Sequence, residues 1–279
     1  MTKTTHIIHK YLRSFKSFPH IWCAGCGNGI ILGALIRAID HSGYSKDDIV
    51  LISGIGCSGR LPTYVDFNTL HTTHGRALTF ATGIKLAKPA LKVIAVMGDG
   101  DATAIGGNHF IHAARRNMDI TAIIINNQIY GMTGGQFSPT TPSGNITSSS
   151  PYGNIEATFD ICRLAEAAGA VFVSRSTVYH TRLLEQVIEK ALHKNGFSVV
   201  EVISHCITYF GRQMDMESPV EMMKWQRDNA IRVEKAKELE EEELKQKVVI
   251  GVLLDREAST YHNEYERLRA RIGTKNNAV

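Results

Sequence analysis

Val93-Ile94-Ala95-Val96-Met97 runs straight into Gly98-Asp99-Gly100-Asp101, and 28 residues beyond Asp99 the run Thr121-Ala122-Ile123-Ile124-Ile125-Asn126 meets Asn127. Both runs are short and rich in β-branched residues. Both are apolar on two faces, as buried parallel strands are. Ile49–Ser53 (IVLIS) and Ser198–Ile203 (SVVEVI) repeat the pattern. Helical periodicity fills the intervals at Asn28–Ile39, Arg76–Ala87, Gly106–Arg116, Ile155–Ala168 and Thr181–Lys194. That rhythm predicts an α/β fold with a mostly parallel sheet flanked by helices. Thr133–Gly153, rich in Ser, Thr, Pro and Gly, reads as a long loop, and loops of that length are usually functional or disordered.

Both Gly98-Asp99-Gly100-Asp101 and Asn126-Asn127 fall at carboxyl ends of predicted parallel strands, where ligands sit in open α/β sheets. Asp99 and Asn127 offer hard oxygen ligands suited to Mg²⁺, which shares its sphere with phosphate oxygens. Gly98 and Gly100 allow close approach to a phosphate, and a helix starting near Gly106 is expected to aim N–H groups at the anion. The plainer reading is that Gly and Asp punctuate a turn and Asn126-Asn127 caps a helix. The spacing resembles the thiamine-diphosphate fingerprint. By that resemblance Asp99, Asn127 and the Ile129 carbonyl are Mg²⁺ ligands, and Gly100 and Asp101 contact the diphosphate.

The five cysteines are odd in number, and no export signal is visible between Met1 and Pro19, so reduced thiols and a cytoplasmic location are expected. Trp22-Cys23-Ala24-Gly25-Cys26-Gly27 puts two thiols in a turn before a helix. Taken alone, such a pair fits a redox dithiol, half a zinc site, half an iron–sulfur site, or chance. Cys57 follows one predicted strand and Cys206 another, so convergence with Cys23 and Cys26 is expected. Four thiolates suit zinc and iron–sulfur equally by ligand type. Cys162 sits within a helical pattern and reads as core.

WCAGCG, GIGCSGR, HTTHGRALTFATGIKLA, GDGDATAIGGNHFIHAARRN, NNQIYGMTGGQFSPT and HCITYFGR follow one another from about residue 18 to residue 213. In this order and spacing they resemble the β subunits of 2-oxoacid:ferredoxin oxidoreductases, with 2-oxoglutarate oxidoreductases as the nearest subtype. Arg60 and the Tyr130–Thr133 block agree with that subtype. The resemblance implies the pyrophosphate-type thiamine-diphosphate fold, with Mg²⁺, and one 4Fe-4S cluster on Cys23, Cys26, Cys57 and Cys206. It puts Ile55, Gly56, Cys57, Ser58, His74, Gly131 and Met132 against the cofactor. It implies oxidative, coenzyme A-dependent decarboxylation of 2-oxoglutarate to succinyl-CoA and CO₂, or the reverse carboxylation, with single electrons passing through the cluster to ferredoxin. Pyruvate and branched-chain 2-oxoacids are the alternative substrates. The glutamate that activates the cofactor lies on another subunit in this family, so an obligate α/β assembly, α2β2, is expected, inactive without its α subunit. Arg60 is a candidate to pair with a substrate carboxylate, and equally a surface ion-pair residue. His74 is expected to hydrogen-bond the diphosphate; a structural role and a zinc pair with His71 are the other readings. His109 and His112 read as packing or interface residues.

At 279 residues, 43% hydrophobic and 21% charged, the chain excludes disordered, collagen-like and low-complexity classes. No apolar run reaches the roughly 18 residues of a membrane helix. A net charge of +4 without a dense basic run gives no footprint for nucleic acid. Residues 1–216 are expected to form the cofactor domain and 217–279 a C-terminal helical extension, opened by Ser218-Pro219. The Glu- and Lys-dense stretch Glu234–Lys247 reads as a solvated helical face, and Tyr261–Ile272 as a peripheral helix. A non-redox thiamine-diphosphate decarboxylase is the main rival, and it has no need of four cysteines. A zinc-binding interaction module is the second, and it leaves the Gly98–Asp101 and Asn126-Asn127 pair unexplained.

Overall fold

The computed structural model describes residues 6–13, 19–216, 218–244 and 247–276, with side chains as far as 272. Parts of the N-terminal segment, the boundary residue 217 and residues 245–246 of the charged stretch lie outside the described residues. Ten strands run in chain order: β1 (Ile49–Ser53), β2 (Asn68–His71), β3 (Lys92–Gly98), β4 (Thr121–Asn126), β5 (Ile129–Tyr130), β6 (Gln136–Phe137), β7 (Phe172–Thr177), β8 (Ser198–Ile203), β9 (Ala230–Arg232) and β10 (Val248–Asp255). Eight form one sheet in the order β2-β1-β3-β4-β8-β7-β10-β9, and β5 and β6 form a separate antiparallel hairpin. From β2 through β7 every pairing is parallel.

The two-faced apolar strands explain the layering. Leu51, Ile94, Val96, Ile123, Ile125, Val200 and Val202 pack on one side with the helices Asn28–Ser42 and Thr181–His193. Their alternate neighbours Val50, Ile52, Val93, Ala95, Met97, Ala122, Ile124 and Val199 pack on the other side with Ala77–Ala87, Gly107–Arg115 and Ile161–Ala168. The period-two split is the pleat itself. From β1 the chain moves to β2 on one flank and then crosses to β3 on the other. The crevice between the carboxyl ends of β1 and β3 is thus a topological switch point.

Three expectations need correction. The helix expected from Ile155 starts at Ile161, because Asp160 caps it, accepting from the Cys162 and Arg163 N–H groups. Upstream, Phe159 N–H is bound to the Pro139 carbonyl, which holds that stretch against the long loop instead. The segment 217–279 is not solely helical. It supplies the helix Pro219–Asn229, but also β9 and β10. β10 pairs antiparallel with β7, with a register shift between Val252 and Leu254. The physical reason is the open edge of β7, whose N–H and C=O groups pair with Gly251–Asp255. Finally, among its described residues the charged stretch forms the short helices Val233–Ala236 and Glu241–Leu244. β7 itself escaped notice because Ser174, Arg175, Ser176 and Thr177 hide an otherwise buried strand; β2 is a partly exposed edge strand.

Candidate cofactor and cysteine site

A cavity of about 320 Å³ opens at the carboxyl ends of β1, β3 and β4. Thirteen of the residues singled out in the sequence line it: Ile55, Gly56, Cys57, Ser58, His74, Gly98, Asp99, Gly100, Asp101, Asn127, Ile129, Gly131 and Met132. Asn28, Ile125, Tyr130 and Thr133 complete it. Arg60 is exposed on the 3-10 turn Ser58–Thr63 and does not line the cavity. Gly106 also stands apart. The turn that meets the cavity is the short helix Asp99–Thr103, entered directly from β3, because the chain begins to coil at Asp99.

The cavity floor is built from buried polar groups. Asp99 is 3% exposed, and its Oδ2 accepts from Ser138 Oγ at 2.5 Å and Thr140 Oγ1 at 2.6 Å. Burial raises the Asp99 carboxyl above its ordinary range, and those two hydroxyls oppose the rise. Asp101 Oδ1 accepts from the Gly75 N–H at 2.6 Å and lies 2.8 Å from His74 Nδ1. A methyl at Gly54 would collide with the Asp101 carboxylate, and one at Gly100 with the Tyr130 ring. Burial, with Asp99 and Asp101 nearby, pushes the Tyr130 phenol up to about 12. The phenol therefore stays protonated at neutral pH. His71 and His74 do not form a pair: His71 Nδ1 sits 2.9 Å from Ser53 Oγ, whereas His74 faces Asp101. His109 and His112 line a separate surface depression with Thr79 and Arg116.

The four cysteines adjoin this cavity. Burial pushes the Cys26 thiol up to about 11, opposed by the Asn28 N–H and reinforced by Cys57, Cys206 and Cys23. Cys57 is raised by burial and then by Cys206 and Cys23, while Arg60 opposes. Those mutual effects put the four thiols in one neighbourhood. Several contacts fix their loops. Trp22 Nε1 donates to the Cys57 carbonyl at 2.7 Å, and His205 Nε2 donates to the Gly25 carbonyl at 2.7 Å. Thr208 Oγ1 donates to Cys23 Sγ at 3.3 Å. A Cβ on Gly131 would stand 3.2 Å from Cys206 Sγ, which ties the cavity wall to the cysteine group.

The donor chemistry can be tested against what it would hold. Among the described residues, no three of these sulfur atoms lie within 4.8 Å of one another. Tetrahedral zinc, with Zn–S bonds of about 2.3 Å, draws its sulfurs to roughly 3.8 Å. Four soft thiolate donors in one neighbourhood suit zinc or an iron–sulfur core by ligand type. Asp99 and Asn127, with the glycine turn between strand and helix, suit a hard cation beside a phosphate. Cys162 is buried as expected, but among polar groups: its Sγ donates to Glu201 Oε2 at 3.1 Å, beside Arg175.

Tyr130, Asn28, Ser138 and Thr140 escaped the sequence reading. Tyr130 was quoted only as part of a motif. The loop composition that marked Thr133–Gly153 also contained the hydroxyls that reach Asp99.

Comparison with known proteins gives this geometry a family. Residues 54–202 match the family described as thiamine pyrophosphate enzyme, C-terminal TPP binding domain. The chain is 49% identical to the 2-oxoglutarate synthase subunit KorB of Methanocaldococcus jannaschii, over 94% of this chain and 97% of that one. It is 61% identical to the corresponding subunit of Archaeoglobus fulgidus, over 71% and 74% of the two chains. The solved 2-oxoglutarate:ferredoxin oxidoreductase of Magnetococcus marinus, with 2-oxoglutarate, coenzyme A and succinyl-CoA bound, superposes with a TM-score of 0.85 at 30% identity, covering 98% of this chain and 92% of that one. Fold, cavity and kinship agree, and the chain belongs to the β subunits of the 2-oxoacid:ferredoxin oxidoreductases, among those of the 2-oxoglutarate enzymes.

Proposed function

We propose that this chain works with an α subunit, as an α2β2 enzyme, to convert 2-oxoglutarate, coenzyme A and oxidised ferredoxin to succinyl-CoA, CO₂ and reduced ferredoxin, or to run the reverse carboxylation. The observation that carries the reading is Cys57. It lines the cavity and also belongs to the cysteine group, so an electron donor in one has an acceptor against the other.

Thiamine diphosphate, when bound, supplies a carbanion that adds to the substrate ketone and an electron sink for loss of CO₂. A 4Fe-4S cluster on Cys23, Cys26, Cys57 and Cys206 supplies a one-electron acceptor. The chain's own residues do the rest. Asp99, Asn127 and the Ile129 carbonyl hold Mg²⁺, and Gly100 lets the backbone approach the diphosphate. His74, held by Asp101, positions the cofactor's polar end, while Asp101 is fixed from behind by Gly75 N–H. Ile55, Ile129 and Met132 give the cavity apolar walls, and Gly56, Ser58 and Gly131 leave room between them. Arg60, exposed on the turn after Cys57 and outside the cavity lining, remains the candidate to pair with a substrate carboxylate. Residues 1–216 act as the cofactor domain, closed at its sheet edge by β10.

The test is a viologen-dye assay of the co-expressed pair with coenzyme A and a panel of 2-oxoacids, alongside iron and sulfide analysis. Reduction with 2-oxoglutarate far ahead of pyruvate and branched-chain 2-oxoacids is expected, with four irons per β chain. Zinc without iron, or decarboxylation without dye reduction, would overturn the redox reading.

A further inference from the structure

Four residues of the long loop hold three buried hydroxyls: two converge on Asp99 and the third reaches the Gln128 carbonyl. Ser138, Thr140 and Thr141 are 1%, 1% and 0% exposed. Ser138 and Thr140 both reach Asp99 Oδ2, at 2.5 and 2.6 Å. Thr140 Oγ1 also lies 3.0 Å from Asn126 Oδ1, but it has a single proton, and the shorter contact to the charged acceptor takes it. Thr141 Oγ1 donates to the Gln128 carbonyl at 2.5 Å and accepts the Ser138 N–H at 2.8 Å. Gln128 has a φ of 62°, in the left-handed region, between Asn127 and Ile129. The loop begins on the β5–β6 hairpin, in which Ile129 pairs with Phe137. Asn126 is held from the far side by Glu201, whose Oε1 accepts from Asn126 Nδ2 at 2.8 Å and whose Oε2 accepts from Arg175 Nε at 2.6 Å.

We infer that Ser138 and Thr140 are positioning residues for the cation site: they saturate one oxygen of Asp99, and so leave the other as the single oxygen it offers to Mg²⁺. Thr141 fixes the left-handed turn that carries Asn127 and Ile129. The reading rests on the assignment of Asp99 as a cation ligand. Two short hydroxyl contacts on one oxygen are stronger than neutral hydrogen bonds and orient the carboxylate rigidly. A loop of this length, expected from composition to be mobile or functional, is here a brace for the site.

The test uses the co-expressed α/β enzyme with Ser138→Ala, Thr140→Val, Thr140→Ser and the double S138A/T140V change. Cation-dependent retention of thiamine diphosphate is titrated with Mg²⁺, and bound Mn²⁺ is counted by electron paramagnetic resonance. Loss of an outer partner costs about 10- to 100-fold in metal affinity, so the half-saturating cation concentration should rise about tenfold in each single variant, while Thr140→Ser stays within about threefold of the parent. Melting temperatures in EDTA report folding separately. If the double variant fails to fold, the single variants carry the comparison. Unchanged cation affinity in S138A and T140V, whatever their stability, overturns the inference. Asp99→Asn separates the two claims: if it leaves cation affinity intact, the ligand assignment itself falls. If it abolishes binding while the hydroxyl variants bind normally, only the positioning role falls.

Discussion

Single side chains at this site act by occupying space as much as by bonding. Gly54 is the clearest case, since any Cβ there meets the Asp101 carboxylate that holds Gly75 and faces His74. Gly54→Ala should destabilise the chain by about 1–3 kcal/mol through overpacking, read as a lower denaturation midpoint. Adding Asp101→Ala should cost less than the two separate losses combined, because the clash goes with the carboxylate. Strict additivity in that cycle would refute the contact. The cysteines divide in a testable way too. Serine at Cys23, Cys26 or Cys206 should lower iron content and visible absorbance, whereas Cys162→Ser, buried against Glu201, should keep both. Iron loss in the Cys162 variant would redraw the ligand set.

Among the elements, β10 shows how far local patterning reaches. Its Val248-Val249-Ile250 start is β-branched, and Ile250 is 1% exposed in the core beside Val200 and Val202. The charged stretch before it masks this signal, and the run finds its place because it pairs with β9 while Gly251–Asp255 takes the open edge of β7. Ile250→Ala should cost about 2–5 kcal/mol, and at about 2–4 °C per kcal/mol for a chain of this size the melting temperature should fall by several degrees. A melting temperature unchanged from the parent would mean that β10 is a dispensable appendage. The Asn28–Ser42 helix behaves more simply. Ile31, Leu35, Ile36 and Ile39 make its buried face, and its first N–H meets the Cys26 thiol, so one helix both closes the core and approaches the cysteine group.

For the whole molecule, the switch point between β1 and β3 gathers the cavity, the loops after β1 and β8 bring Cys57 and Cys206 to it, and the turn before the Asn28–Ser42 helix brings Cys23 and Cys26. No helix of the described residues is long and apolar enough to cross a membrane. The β chain purified alone should hold iron but show only about 10⁻² to 10⁻⁴ of the paired enzyme's dye reduction, as expected when an essential general acid–base partner worth that much lies on a second subunit. Full activity of the isolated chain would end the obligate-pair reading.

The sequence by itself determined the strand and helix rhythm, because buried parallel strands must be apolar on two faces. It also put Gly98–Asp101 and Asn127 at strand ends, where the cavity lies, whereas Ile55–Ser58 entered through the family resemblance. The four-to-one division of the cysteines is an expectation carried by the family resemblance, with Cys162 set apart by its helical pattern. Only the tertiary structure decided what polar residues do at a distance. Ser138 and Thr140 reach Asp99 across 39 and 41 positions of the chain. Arg175 is tolerated in β7 because Glu201 on the neighbouring strand and Asp160 at the cap of the helix Ile161–Ala168 both accept from its guanidinium. Arg60 sits outside the cavity because the turn after Cys57 carries it to the surface. Local propensity and periodicity are set by neighbours in sequence, whereas satisfaction of a buried polar group depends on which segments the fold brings together.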